Sequence, residues 1–118
     1  MSIPSRATHI VLAERPKASL TASTFARDSV PIPTELGPDD ILIRVDWISL
    51  DPAMRGWLKD TRSYIPPVQI GERMRAQGLG TVIKGGGNTI KVGDTVRAMV
   101  GMFPAFTSWA LQAFILWI

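Results

Sequence analysis

The chain has 118 residues, 46% of them hydrophobic and 19% charged, which suits one packed domain of ordinary size and excludes both disorder and a second full domain. It has no cysteine and a single histidine, His9, so disulfides, thiol catalysis and thiolate metal sites are excluded, and His9 alone cannot supply the three or four ligands of a zinc site. The 13 basic and 10 acidic residues leave a net charge of +3, but they are scattered singly, the tightest basic pair being Arg73 and Arg75 beside Glu72, so no nucleic-acid surface is expected.

The first six residues lack the apolar core of a signal peptide, which makes the cytoplasm the expected compartment. Residues 8–13, apolar and β-branched, predict a first strand that carries His9 and ends before Pro16. A weaker strand follows over 24–31. Pro31, Pro33 and the run 35–40 predict a turn, in which Asp39 and Asp40 serve as capping or solvated groups rather than as an acid–base pair. The clearest strand covers 40–49, with Ile41, Ile43, Val45 and Trp47 on one face at period two, Arg44 and Asp46 on the other, and Leu42 and Ile48 near the ends. Residues 52–59 suit one or two helical turns with Asp51 as N-cap. Ser63 to Pro67 must be extended, because residues before proline are pushed out of the helical region. Gln77 to Lys84 predicts another strand, whose alternating Gly78 and Gly80 mark a bend or a close backbone approach. A glycine turn at 85–88 precedes a hairpin of 90–92 with 95–100 about Gly93-Asp94. Six or seven short strands with little helix predict a mainly all-β fold, a small barrel or sandwich.

Two glycine patterns invite a nucleotide reading and fail it. Gly78-Leu79-Gly80 needs a third glycine at position 83, which is Ile83, and no helix follows. Gly85-Gly86-Gly87 lacks the Gly-Lys-Ser/Thr of a P-loop.

The stretch from Leu50 to Gly80 is more specific. Leu50-Asp51-Pro52-Ala53-Met54-Arg55-Gly56 resembles the L-D-P-Y-M-R-G signature of the zinc-free medium-chain reductases, the branch that contains prostaglandin reductase, leukotriene B4 12-hydroxydehydrogenase and plant double-bond reductases. Ser63-Tyr64-Ile65-Pro66-Pro67-Val68-Gln69-Ile70-Gly71-Glu72 continues the likeness. So do the strand from Met74 to Val82 and the block Val92-Gly93-Asp94-Thr95-Val96. In all, the resemblance covers about residues 8–112.

That resemblance implies a GroES-like, partly open β-barrel with one or two short helical turns, normally followed by a Rossmann-type domain that binds NADPH. It implies hydride transfer to the β-carbon of an α,β-unsaturated ketone or aldehyde, no metal, and a family that is often homodimeric. It points to Met54, Tyr64, Ile65, Pro66 and Val68 as the substrate pocket and to Asp51, Pro52 and Arg55 as cofactor-proximal residues, with no catalytic residue assigned. Tyr64, the only tyrosine, either hydrogen-bonds the substrate carbonyl or packs on the barrel as an amphipathic loop residue. Arg55 pairs either with a cofactor phosphate or with Asp51. Ala53 stands where the family often has tyrosine, so one common pocket hydroxyl is missing.

The domain is therefore expected over residues 1–112, with 113–118 an aberrant apolar tail and the cofactor domain absent. Phe106 to Leu111 resembles a degraded W-x-E-Y-A-V strand. On this reading the chain binds NADPH weakly if at all and is inactive alone. The alternative is a non-catalytic short form that acts through its apolar end. Ala98 to Ile118 carries no charge over 21 positions, roughly the length needed to cross a ~30 Å hydrocarbon core as a helix, although Gly101, Pro104 and Gln112 oppose such an anchor.

Overall fold

The computed structural model of the chain describes residues 3–38, 40–85, 89–101 and, as backbone, 113–116. Asp39, the glycine turn at 86–88, the strand expected at 106–111 and the end of the tail lie outside the described residues. Among the described residues six strands and one helical turn are formed: β1 (Arg6–Leu12), β2 (Phe25–Pro31), β3 (Ile41–Ile48), α1 (Ala53–Gly56), β4 (Ala76–Gly85), β5 (Thr95–Val100) and β6 (Ala113–Leu116).

The strands make two sheets, an antiparallel pair β1–β2 and a four-stranded sheet in the order β5-β4-β3-β6. β6, which falls in the segment expected to be a tail, pairs parallel with β3 at Ile41–Arg44. Residues 71–74 stitch the two sheets together. Gly71 N donates to Leu12 O (2.7 Å), Leu12 N to Glu72 O (2.9 Å) and Met74 N to Ile10 O (2.8 Å), after which the chain runs directly into β4. The result is the mainly all-β fold that the strand pattern predicts, with its sheets not closed, as in the partly open barrel that the family resemblance implies. No helix among the described residues is long and apolar enough to cross a membrane.

β3 is buried on both faces at its start. Leu42 is fully buried against Ala7 and Ile32, while Ile41 and Ile43 pack with Val82 on the other side. β4 buries Ala76, Gly78, Gly80 and Val82 at period two. Its glycines are required by the approach of β3. A Cβ at Gly80 would lie 2.5 Å from the Arg44 carbonyl oxygen, and one at Gly78 would lie 3.2 Å from that of Trp47 and 2.7 Å from the Val100 side chain.

Three local expectations are corrected. Trp47 does not continue the buried face of β3. The pairing with β4 shifts register between Val45 and Trp47, which breaks the alternation and leaves Trp47 73% exposed. Asp51 does not cap α1 with its side chain; its carboxylate accepts the Ser49 hydroxyl at 2.9 Å. The turn is started instead by Pro52, whose φ of −55° is already helical. β5 forms its hairpin with β4 rather than with 90–92. Residues 91–94 are the turn into β5, closed by Asp94 N to Lys91 O (3.0 Å) and Lys91 N to Asp94 Oδ2 (2.8 Å). Gly93 takes the positive φ of 97° that the third position of a type II turn demands.

His9 is a strand residue, as the sequence implies, opposite Asp28 in the β1–β2 pair. Its Nδ1 is buried with no hydrogen-bond partner among the described residues. Burial, then the positive charge of Arg73, hold its pKa below the ordinary imidazole value of 6.5, with Asp28 opposing. The folded chain therefore binds the His9 proton less readily than the unfolded chain, and stability falls with pH once the unfolded imidazole protonates.

Two predictions follow from this packing. In urea unfolding, Gly80→Ala should cost about 1–3 kcal/mol, because its methyl meets backbone that cannot yield. Gly56→Ala, which meets nothing within 4 Å, should be neutral or stabilise by up to about 1 kcal/mol. In thermal melts between about pH 7.5 and 5.5 the midpoint should drop through the imidazole range, and His9→Asn should flatten that slope.

Candidate functional site

An open cleft of about 240 Å³ lies between β1 and one end of the larger sheet. Thr8, His9 and Ile10 line it from β1, Phe25 from β2, Val45 and Ile48 from the end of β3, and Val100 and Gly101 from the end of β5. Leu50, Met54 and residues 73–76 complete it. The register explains why these residues meet: Ile48 pairs with Gly78 and Ala76 with Val100, so one end of three strands is brought to β1 by the 71–74 stitch. The surface is overwhelmingly apolar, which suits a hydrophobic ligand held by few polar groups.

Of the residues singled out in the sequence, Met54 lines this cleft. It also packs on the core cluster of Leu12, Trp57, Leu58 and Val68, so it forms the partition between the cleft and the loop that follows α1. Val68 is a fully buried member of that cluster, and Ile65 packs against it. Val68 therefore supports the loop from below and does not present its side chain to solvent. Tyr64 is 79% exposed and its hydroxyl oxygen accepts the Trp57 indole N–H at 2.9 Å. Tyr64, Ile65, Pro66 and Val68 are thus brought together on one loop beside Met54 but outside the cleft itself.

That loop is fastened by polar contacts. Val68 N donates to Trp57 O at 2.9 Å. Arg75, only 5% exposed, donates to Pro66 O at 2.6 Å and to Glu72 Oε1 at 3.3 Å, and Glu72 Oε2 accepts Gln69 N at 2.7 Å. A buried guanidinium requires such partners, and here they hold residues 66–72 to the start of β4.

Asp51, Pro52 and Arg55 sit at and in the α1 turn. The Asp51–Arg55 pair, one of the two alternatives for Arg55, does not form; ion pairs among the described residues include Arg15–Asp60, Arg44–Asp46 and Arg75–Glu72. Arg55 Nη2 reaches the Ala18 carbonyl at 3.4 Å, and its Nη1 is buried with no hydrogen-bond partner among the described residues. The Arg44–Asp46–Thr81 group is a separate surface network. Arg44 Nε lies 2.7 Å from Asp46 Oδ1, Thr81 Oγ1 donates to Asp46 Oδ2 at 2.6 Å, and these bonds hold the Asp46 carboxyl below its ordinary range.

A dinucleotide needs more than an unsatisfied arginine nitrogen. The helix described here is a single turn, and Gly78 and Gly80 are spent on the contact with β3 rather than on a phosphate-binding turn. The described residues contain no cluster of three or more metal-ligating side chains.

Sequence reasoning missed the strand-end wall of the cleft, since Ile10, Val45, Ala76 and Val100 meet only through long-range pairing. It also missed Trp57. A signal for it was available: a buried indole needs an acceptor for its one N–H, and the chain's sole tyrosine stands seven residues on.

Comparison with known proteins bears on the same segment. A family model described as the N-terminal domain of oxidoreductase matches residues 8–114. The NADPH-dependent curcumin reductase of Escherichia coli is 34% identical over 91 residues, which cover 77% of this chain and 26% of that protein. YfmJ of Bacillus subtilis is 32% identical over 87 residues, covering 74% and 25%. Among solved structures, CurA of Vibrio vulnificus in complex with NADPH superposes with a TM-score of 0.74 at 38% identity, over 80% of this chain and 28% of that one. A second crystal structure of CurA gives 0.75. The chain spans about a quarter of the length of the curated relatives it matches. It belongs to the family of oxidoreductase N-terminal domains.

Proposed function

We propose that this chain is the substrate-side domain of an NADPH-dependent reductase of α,β-unsaturated ketones or aldehydes. The observation that carries this reading is the fold of the two signature blocks. Residues 50–56 and 63–72 come together as one stapled loop beside an apolar cleft, and they do so in a chain 38% identical to a protein crystallised with NADPH. The curcumin reductase relative adds support for the substrate class, since curcumin is itself a conjugated enone.

When bound, NADPH supplies a hydride to the substrate's β-carbon. The residues of this chain hold and orient the acceptor. Met54, Ile65 and Pro66 offer apolar surface, with Val68 behind them in the core. The Tyr64 hydroxyl donates to the carbonyl oxygen, where negative charge grows as the β-carbon is reduced, so a fixed donor there lowers the barrier. Asp51, Pro52 and Arg55 border the side from which the cofactor approaches.

The test is a domain exchange. Residues 8–101 of this chain replace their counterpart in CurA of Vibrio vulnificus, and NADPH oxidation is followed with 4-phenyl-3-buten-2-one and with its saturated analogue. The expected result is enone-dependent turnover within about a hundredfold of the parent, a loss of up to about 2.7 kcal/mol, and a further drop of about 10- to 100-fold for Tyr64→Phe. A folded exchange protein that binds NADPH but reduces no enone, or reduces only the saturated ketone, overturns the proposal.

A further inference from the structure

We infer that Trp57 is a positioning residue that fixes the Tyr64 hydroxyl so that its proton is presented outward to a carbonyl ligand; this rests on the reading of Tyr64 given above. The two side chains differ sharply in environment. Trp57 is 7% exposed, within the cluster of Leu12, Leu58 and Val68. Tyr64 is 79% exposed, so packing alone does little to hold its ring. The bond between them, 2.9 Å from Trp57 Nε1 to Tyr64 Oη, transfers the rigidity of the core to an exposed phenol.

The direction of that bond is fixed by chemistry. An indole N–H only donates, whereas a phenol both donates and accepts. Tyr64 Oη must therefore be the acceptor, and its own proton is left over. No acceptor for that proton exists among the described residues, so it faces solvent or a ligand. An unanchored phenol would lose rotational freedom on binding a carbonyl; here much of that freedom is already gone.

The backbone on either side is anchored as well. Val68 N closes the loop onto Trp57 O at 2.9 Å, and Pro66 O accepts from buried Arg75 at 2.6 Å. Position 64 is thus held from both ends and at its tip. It is also the chain's only tyrosine, and Ala53 brings no second hydroxyl to the neighbouring turn. Trp57 decides where that hydroxyl points.

The experiment uses the full 118-residue chain and 4-phenyl-3-buten-2-one labelled with ¹³C at the carbonyl. A donated hydrogen bond moves that carbon downfield. The expected result is a downfield shift on the wild-type chain that Tyr64→Phe abolishes, with Trp57→Phe weakening binding by about three- to tenfold, the worth of one hydrogen bond. The double variant should bind no more weakly than Tyr64→Phe alone.

If Trp57→Phe weakens binding equally in both backgrounds, its role is structural and the inference falls while the reading of Tyr64 stands. If the wild type shows no shift, or Tyr64→Phe keeps it, the carbonyl reading itself fails. Because Trp57 is a core residue, the exposed-site variant supplies an independent check. In Tyr64→Phe the Trp57 indole proton should move upfield in a ¹⁵N-resolved spectrum and exchange with solvent about tenfold faster. An unchanged indole resonance would mean that the bond does not exist, which also overturns the inference.

Discussion

The rest of the structure depends on how closely β4 approaches β3. β3 has a described neighbour on each edge, β4 and β6, and it is buried on both faces where it begins. Leu42 faces Ala7 and Ile32, which come from β1 and the end of β2. Ile41 and Ile43 face Val82. β4 can lie against this strand only because Gly78 and Gly80 have no side chain to drive into the carbonyls of Trp47 and Arg44. The β4 direction then places 71–74 against β1, and that contact joins the two sheets. A bulkier residue at position 80 would therefore act on the whole partly open barrel rather than on one hydrogen-bonded pair.

The same strand path explains why polar groups gather where they do. β4 begins immediately after Arg75, so this arginine is drawn into the interior as the strand docks. A buried cation is tolerable only with good partners, and the partners available are the Pro66 carbonyl and Glu72. Those partners belong to the loop that carries Tyr64 and Ile65. The docking of β4, the satisfaction of Arg75 and the placement of the signature loop are consequently one event, and the order of the loop is inherited from the sheet.

Much of this was legible in the sequence, and the exceptions share one cause. Period-two apolar runs punctuated by proline and glycine located β1 to β5 to within a few residues, because each strand's pattern is local. The glycines at 78 and 80 announced a close approach, which they make. The signature blocks at 50–56 and 63–72 gave the family, since residue identity at fixed spacing survives where periodicity says little. Failures came wherever a distant partner decided the outcome. Trp47 leaves the buried face because β4 imposes a bulge there. Leu42, left without a partner by the strand pattern alone, is covered by Ala7 and Ile32. Asp51 gives its carboxylate to Ser49 rather than to the helix start. The β5 hairpin was misread because residues 91–94 satisfy their own turn and β4 takes the strand. The cleft itself was invisible, as its wall comes from five separate strands. Of the pocket residues named from the sequence only Met54 reaches it, because Met54 alone sits where α1 meets the strand ends.

A domain of this kind can settle some elements of a reduction and not others. The described residues build an apolar cleft, a fixed phenol and a polar staple, which under the proposed function act on where an acceptor lies. Gly78 and Gly80 are committed to the β3–β4 contact. Under the proposed function, positioning and hydride supply are separable in physical terms: the first is assigned to Trp57, Tyr64, Met54 and Arg75, and the second to the bound cofactor. Orientation is worth most when it is complete before the reacting partner arrives, and a hydroxyl pinned to the core by an indole is such an arrangement.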